Sequence, residues 1–253
     1  MAINLHKLIT YLDQYLNAQS IQDYCPNGLQ IEGKQAVGKI LGGVTATQEL
    51  IDFAISQHVD AILVHHGFFW KGENQAITGI KKNRIQALLQ HDISLIAYHL
   101  PLDVHPVIGN NIQLAKLLGL KNIGPLEPQS KSSIGITGEL DEPVSAALFN
   151  KIISSALGRD CVQIGDASKL LKTVGLCTGA AQGMINQAVS LGVDAFISGE
   201  ISEPTVHIAN ETGVNYFSAG HHATERGGVI ALGNHLADKF DVEFEFIDLF
   251  HPV

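Results

Sequence analysis

Residues 44–66 read VTATQELIDFAISQHVDAILVHH, and residues 178–200 read TGAAQGMINQAVSLGVDAFISGE. Aligned without a gap, the two segments match at Ala46/Ala180, Gln48/Gln182, Ile51/Ile185, Ala54/Ala188, Ser56/Ser190, Val59/Val193, Asp60/Asp194 and Ala61/Ala195. In each, a helical pattern runs into a short apolar stretch, the sequence signature of a helix followed by a buried strand. Self-similarity on this scale points to duplication of one α/β unit. A second pair, LIAYHLPLDVHPVIGNNIQLAKLL (95–118) and FSAGHHATERGGVIALGNHLADKF (217–240), shares Ala97/Ala219, His99/His221, Val107/Val229, Ile108/Ile230, Leu114/Leu236 and Ala115/Ala237. Asp103 meets Glu225, a carboxylate in both copies.

Outward from the repeat, KILGGVT, DAILVHH and ISLIAYH alternate with helical patterns, and a similar order returns later, as expected of α/β units around a sheet. Between 124 and 143, GPLEPQSKSSIGITGELDEP collects prolines, serines and charges. That composition places the boundary of two halves there, 1–126 and 127–253, with one strand, SIGITGEL, just after it. The expected fold class is α/β, with two similar α/β domains arising by internal duplication and a ligand site in the cleft between them.

Composition narrows the function classes. The net charge is -9, with 25 acidic against 16 basic residues, which disfavours nucleic acid as the main partner because broad binding to it needs Lys and Arg to neutralise phosphates. Cys25, Cys161 and Cys177 are scattered, with no Cys-x-x-Cys, so neither a disulfide framework nor a thiolate zinc site is indicated and a reducing cytoplasmic location is expected. The N-terminus spaces Leu5, Leu8, Ile9, Leu12 and Leu16 along one helical face, unlike a signal peptide, and no run approaches the roughly 18 apolar residues of a membrane span.

Chemistry is concentrated where strands end. AILVHHGFFW (61–70) puts His65 and His66 at the close of an apolar run. Adjacent residues of a regular strand point to opposite faces, so the pair serves one site only if the strand ends there, which Gly67 permits. On this stretch alone, packing and function are evenly balanced. His99-x-x-x-Asp103 and His221-x-x-x-Glu225 tilt the balance, since both follow predicted strands. Pro101 argues for a loop around the first pair, and the second is placed at the start of a helix. Imidazoles with carboxylates suit Zn, Mn, Fe, Co or Ni, and His65, His66, Asp103, His221 and Glu225 supply enough donors for two divalent ions. Hydrolysis by metal-activated water is the reaction class that follows, with a purely structural metal site as the alternative. Two basic features are weaker. Lys81, Lys82 and Arg84 in GIKKNR read as a solvated helix face or a phosphate contact, and Arg226 is an anion-contact candidate by its place beside Glu225. Asn27-Gly28 reads as a tight turn.

PNGLQIEG (26–33), VHHGFFWKG (64–72), YHLPLDVHP (98–106), DAFISGE (194–200) and AGHHATERGG (219–228) together resemble the Nif-three-like family, whose bacterial members are often labelled GTP cyclohydrolase I type 2 homologues. The resemblance spans nearly the whole chain. It implies two α/β domains, a dinuclear metal site in a cleft, and a ring-shaped homohexamer. By position it makes His65, His66, Asp103, His221 and Glu225 the metal ligands, and places His99 and His222 along the same cleft as proton-transfer or substrate-contact candidates. The short linker leaves no room for the extra domain of longer members. The implied activity is opening of the guanine ring of GTP, giving formate and dihydroneopterin triphosphate. Hydrolysis of another nucleotide or small molecule, or a ring-shaped metal-binding scaffold without turnover, are the competing readings.

Overall fold

The computed structural model describes residues 2–130, 133–249 and 251–252. Its elements begin with β1 (Ile3–Asn4), α1 (Leu5–Tyr15), β2 (Gly28–Ile31), β3 (Ala36–Val37), β4 (Lys39–Thr45), α2 (Gln48–Ser56), β5 (Ala61–His66), α3 (Gly79–Gln90) and β6 (Ser94–Ala97). Next come α4 (Leu100–Val104), α5 (Asn110–Leu117), β7 (Lys121–Pro125), β8 (Ile136–Ser145), α6 (Ala146–Leu157), β9 (Val162–Ile164), β10 (Leu170–Leu176) and α7 (Ile185–Leu191). The remainder are β11 (Ala195–Ser198), α8 (Glu203–Thr212), β12 (Asn215–Ser218), α9 (His221–Thr224), α10 (Arg226–Phe240) and β13 (Glu243–Phe246).

These elements form two compact units, Met1–Ile108 with Gly228–Phe250, and Gly109–Gly227 with His251–Val253. The first contains a sheet of order β13-β4-β5-β6-β2, parallel except for β2 at its edge. The second contains a sheet of order β7-β8-β10-β11-β12-β9, in which β10, β11 and β12 are parallel and β8 and β9 flank them antiparallel. The duplicated segments form the central parallel strands of both sheets, as the repeat predicts.

The shared residues do the same work twice. Ile51, Ala54, Ile185 and Ala188 are fully buried on the inner faces of α2 and α7. Asp60 Oδ2 accepts from the backbone N–H of Gly38 (2.9 Å) and Lys39 (3.1 Å). Asp194 Oδ2 accepts from those of Lys172 (3.0 Å) and Thr173 (2.9 Å), the positions that the repeat makes equivalent. Each aspartate precedes one strand and pins the backbone of its neighbour, fixing parallel register where no hairpin can.

The linear division at 126/127 is corrected by the structure. That point lies between β7 and β8, which pair antiparallel in the second sheet, so the Pro- and Ser-rich stretch is largely a connection within one unit. The helices after β6 and β12 are also exchanged. Leu114, Ala115 and Leu118 of α5 and its end pack with Phe149, Ile153 and Leu171, whereas Val229, Leu232 and Leu236 of α10 pack with Leu5, Leu8 and Leu63. Leu114 and Leu236, identical in the repeat, therefore fill the core of the unit that their own half of the chain does not build. A polar turn composition marks hairpins and linkers alike, and an apolar helix face does not say which sheet it will cover.

Three local expectations are also refined. The strand anticipated at SIGITGEL starts at Ile136 and runs on to Ser145. The His99/Asp103 pair lies not on a loop but around α4, a single helical turn that holds Pro101 in its first turn, where no intrahelical N–H is required. The amphipathic N-terminus forms α1, with Leu5, Leu8 and Leu12 fully buried and the Asn4 side chain accepting from Lys7 N. Among the described residues no helix is long and apolar enough to cross a membrane.

Candidate metal centre

In the first unit β5 is buried through Val64 and ends at the two histidines. His65 is fully buried, with Nδ1 3.0 Å from Tyr98 O and Nε2 3.4 Å from Asp103 Oδ1. His66 Nδ1 lies 3.2 Å from Thr45 Oγ1 on the neighbouring strand. The chain then turns at Gly67, where a Cβ would fall 2.2 Å from Gln30 Oε1, so only glycine fits. Both histidines belong to β5, His66 being its last residue and paired with Thr45. Their ring centroids are 4.6 Å apart, and that of His99 lies 5.0 Å from His65 and 5.7 Å from His66.

His99 is held by the segment before β2. Its N–H donates to Asn27 Oδ1 (2.7 Å) and its Nδ1 is 2.9 Å from Asp23 Oδ1. Asp23 Oδ2 also accepts from Asn27 Nδ2 and Leu100 N, both at 2.9 Å. Burial pushes the Asp23 carboxyl upward, but the hydrogen bonds and charge of His99, with those of Asn27 and Leu100, outweigh it and hold the acid well below the usual carboxylate range. Asp23 stays ionised and keeps the proton of His99 on Nδ1. Nearby Cys25 is pushed up to about 12, first by burial and then by the charge of Asp23, so it stays a neutral thiol.

In the second unit β12 leads through Gly220 into α9. His221 Nδ1 is 2.7 Å from Glu200 Oε1, and its Nε2 is 3.2 Å from Glu225 Oε2. Burial lowers the His221 pKa, but hydrogen bonds and charge from Glu225 and then Glu200 more than reverse this and raise it to about 9. Glu225 is 3% exposed, and the backbone of Gly179 leaves room for it. A Cβ on Gly179 would lie 2.2 Å from Glu225 Oε1, and its φ of 69° is itself a glycine conformation.

In His65, His66, His99 and His221 Nδ1 is engaged, by a carbonyl, a hydroxyl or a carboxylate, which leaves Nε2 as the nitrogen available for coordination or for a proton. That anchoring is the outer-shell pattern of metal-ligating histidine, where the bond to one nitrogen fixes the tautomer and aims the other. One donor atom from each of His65, His66 and His99 lies within 4.8 Å of the others, close enough for a shared cation. A cluster of imidazoles and carboxylates this deeply buried is costly without a counter-charge, and a divalent ion suits the donor set.

The first unit thus gathers His65, His66, Asp103 and His99. The second gathers His221 and Glu225. His222 stacks on His251, with centroids 5.8 Å apart and a 17° tilt. Arg226 Nη2 donates to Leu157 O (2.6 Å), at the C-terminus of α6, and Nε to Ala223 O (3.4 Å). Lys81 Nζ donates to Glu73 Oε2 (3.1 Å) and Asn74 O (3.2 Å), so it fastens the loop after β5. Asn27-Gly28 is more than a turn, since Asn27 positions His99. Sequence reading missed Asp23, Thr45, Gly179 and Glu200. A signal existed only for the last, which the repeat aligns with His66.

A family model described as Duf34/NIF3 (NGG1p interacting factor 3) matches residues 3–252. A protein of Pseudomonas aeruginosa named "GTP cyclohydrolase 1 type 2 homolog" is 52% identical over 252 residues, covering 100% of both chains. A solved structure described as protein ybgI, of unknown function, superposes with a TM-score of 0.95 at 46% identity, covering 99% of this chain and 100% of the other. The crystal structure of TTHA1606 from Thermus thermophilus gives 0.86 at 32% identity, with coverage of 99% and 100%.

Proposed function

The chain belongs to the Duf34/NIF3 family, and from the donors it carries we propose that it is a dinuclear-metal-dependent hydrolase acting on a purine nucleotide, GTP being the first candidate. The observation that carries this reading is the anchoring of Nδ1 in His65, His66 and His221, which prepares three imidazoles for coordination. His65, His66, Asp103, His221 and Glu225 would hold the ions. Bound divalent ions would activate water near neutral pH and so supply the hydrolytic nucleophile. His99 is the proton carrier in this reading: Asp23 keeps the proton on Nδ1, leaving Nε2 to take one from the reacting group and return it. His222, stacked on His251, is a second candidate for that task. Arg226, already oriented by two carbonyls, is the candidate contact for a substrate phosphate, and Arg226→Lys should then raise KM for GTP more than it lowers kcat.

The names of the homologues support the substrate, and the donor set supports the reaction class. The test is to measure metal content and then to follow formate release and the fluorescent pterin that oxidation of the product yields. Protein holding two ions per chain that leaves GTP intact with Zn, Mn, Fe, Co and Ni would overturn the GTP assignment. We further propose a ring-shaped homohexamer in the cytoplasm, with sedimentation velocity as the check on its size.

A further inference from the structure

Two aromatic side chains stand beside the imidazole cluster of the first unit, and metal binding makes no use of them. Tyr24 is 52% exposed, and its ring lies 5.0 Å from His99 and 6.1 Å from Trp70, tilted 36° to the latter. Trp70, half-buried, is 5.1 Å from His99 and 5.8 Å from His66. Both rings are fixed by their loops. Lys71 N donates to Tyr24 O (2.7 Å), tying the two segments together. Gln30 Nε2 donates to Pro26 O (2.9 Å) and Phe68 O (3.1 Å), while its Oε1 accepts from Phe68 N (2.6 Å). Phe69 adopts φ 67°, uncommon for an aromatic residue, and Lys81 Nζ sits 4.9 Å over its ring. Glu73 Oε2 accepts from Trp70 N (3.3 Å) and from that same ammonium (3.1 Å). Backbone strain retained next to a ligand site is a mark of a positioned loop.

We propose that Tyr24 and Trp70 form a stacking ledge for the planar nitrogen heteroaromatic ring of the substrate, a nucleobase, presenting that ring to His66 and His99. This rests on the reading of the site as a purine-nucleotide hydrolase and names the residues that select for the base. A π face stacks on the flat ring of a base far more favourably than on a sugar phosphate, so the ledge favours nucleotides over other phosphate-bearing metabolites. It also accounts for PNGLQIEG and VHHGFFWKG as one construction, the first segment clamping the second.

Trp70 is the only tryptophan of the chain, so intrinsic fluorescence reports the ledge directly. The full-length protein would be titrated with guanosine, GTP, ribose 5-phosphate and tripolyphosphate. Saturable quenching by guanosine and GTP, and none by the other two, is the expected result. Tyr24→Leu should weaken guanosine binding by roughly ten-fold or more, and Trp70→Leu similarly by calorimetry, while Trp70→Phe retains most of it. Circular dichroism checks folding, and if Trp70→Leu does not fold, Tyr24→Leu and Trp70→Phe decide. Equal quenching by tripolyphosphate and GTP, or wild-type guanosine affinity in folded Tyr24→Leu and Trp70→Leu, would overturn the ledge. If guanosine binds as expected but GTP is not hydrolysed, the hydrolase reading falls and the ledge stands. If GTP is hydrolysed with unchanged KM in folded Trp70→Leu, the ledge falls and the hydrolase reading stands.

Discussion

His221 shows how one residue couples folding, protonation and ligation. Its pKa is raised from the ordinary 6.5 to about 9 by Glu225 and Glu200 against the opposing effect of burial. In metal-free protein its contribution to stability is therefore fully present below pH 6.5 and is lost as pH rises toward 9. A metal ion must displace that proton, so affinity should increase across the same window, with release of about one proton per chain from this site at pH 7.5. Calorimetry in buffers of different ionisation enthalpy measures the release, and Glu200→Gln should diminish it. Gly179 is tested separately. Gly179→Ala would put a methyl group 2.2 Å from Glu225 Oε1 in a left-handed backbone position. We expect loss of about 1–3 kcal/mol in urea unfolding and a substoichiometric metal content. Unaltered metal content in a folded variant would show that Glu225 does not depend on the space this glycine provides.

At the scale of elements, the parallel strands depend on a side chain rather than a turn for their register. Asp194 Oδ2 accepts from Lys172 N, Thr173 N and Thr173 Oγ1, and Asp60 holds Gly38 and Lys39. Burial raises the Asp194 pKa, but these hydrogen bonds and Lys169 lower it further, so its stabilising effect is present above the unfolded carboxylate pKa near 3.8 and is lost as pH falls through the lower folded value. Asp194→Ala should cost about 2–3 kcal/mol by denaturant unfolding, because it removes a charged acceptor from two backbone donors. The repeat exposed both aspartates without revealing their task. The helical turn α4 was concealed for a different reason: a proline near a short turn reads as a break, and only the packed backbone shows that it occupies the first turn of a helix.

The exchange of α5 and α10 governs the whole molecule. Residues 1–126 lack Val229, Leu232 and Leu236, each fully buried in the core that also holds Leu5, Leu8 and Leu12, and they lack β13. That fragment should be unfolded or aggregated by circular dichroism and amide proton dispersion. Adding a 228–250 peptide should recover structure only in part, because the loss of chain connection must be overcome by concentration. A well-dispersed spectrum from 1–126 alone would refute the exchange as a folding requirement. Within the intact chain, Leu236→Ala should cost about 2–5 kcal/mol, the range for opening a cavity in a packed core.

The sequence by itself determined the duplication, the α/β class and the family, and it placed histidines and carboxylates at strand ends, because hydrophobic period, repeated identities and contiguous motifs are local and survive without coordinates. Tertiary structure decided what depends on long-range approach. It put Asp23 on His99 across 76 positions, Glu200 on His221 across 21, and the backbone of Gly179 against Glu225. It also decided which sheet each repeated helix covers. An amphipathic pattern specifies that a face will be buried, but the partner that buries it is chosen by the packing of the complete chain.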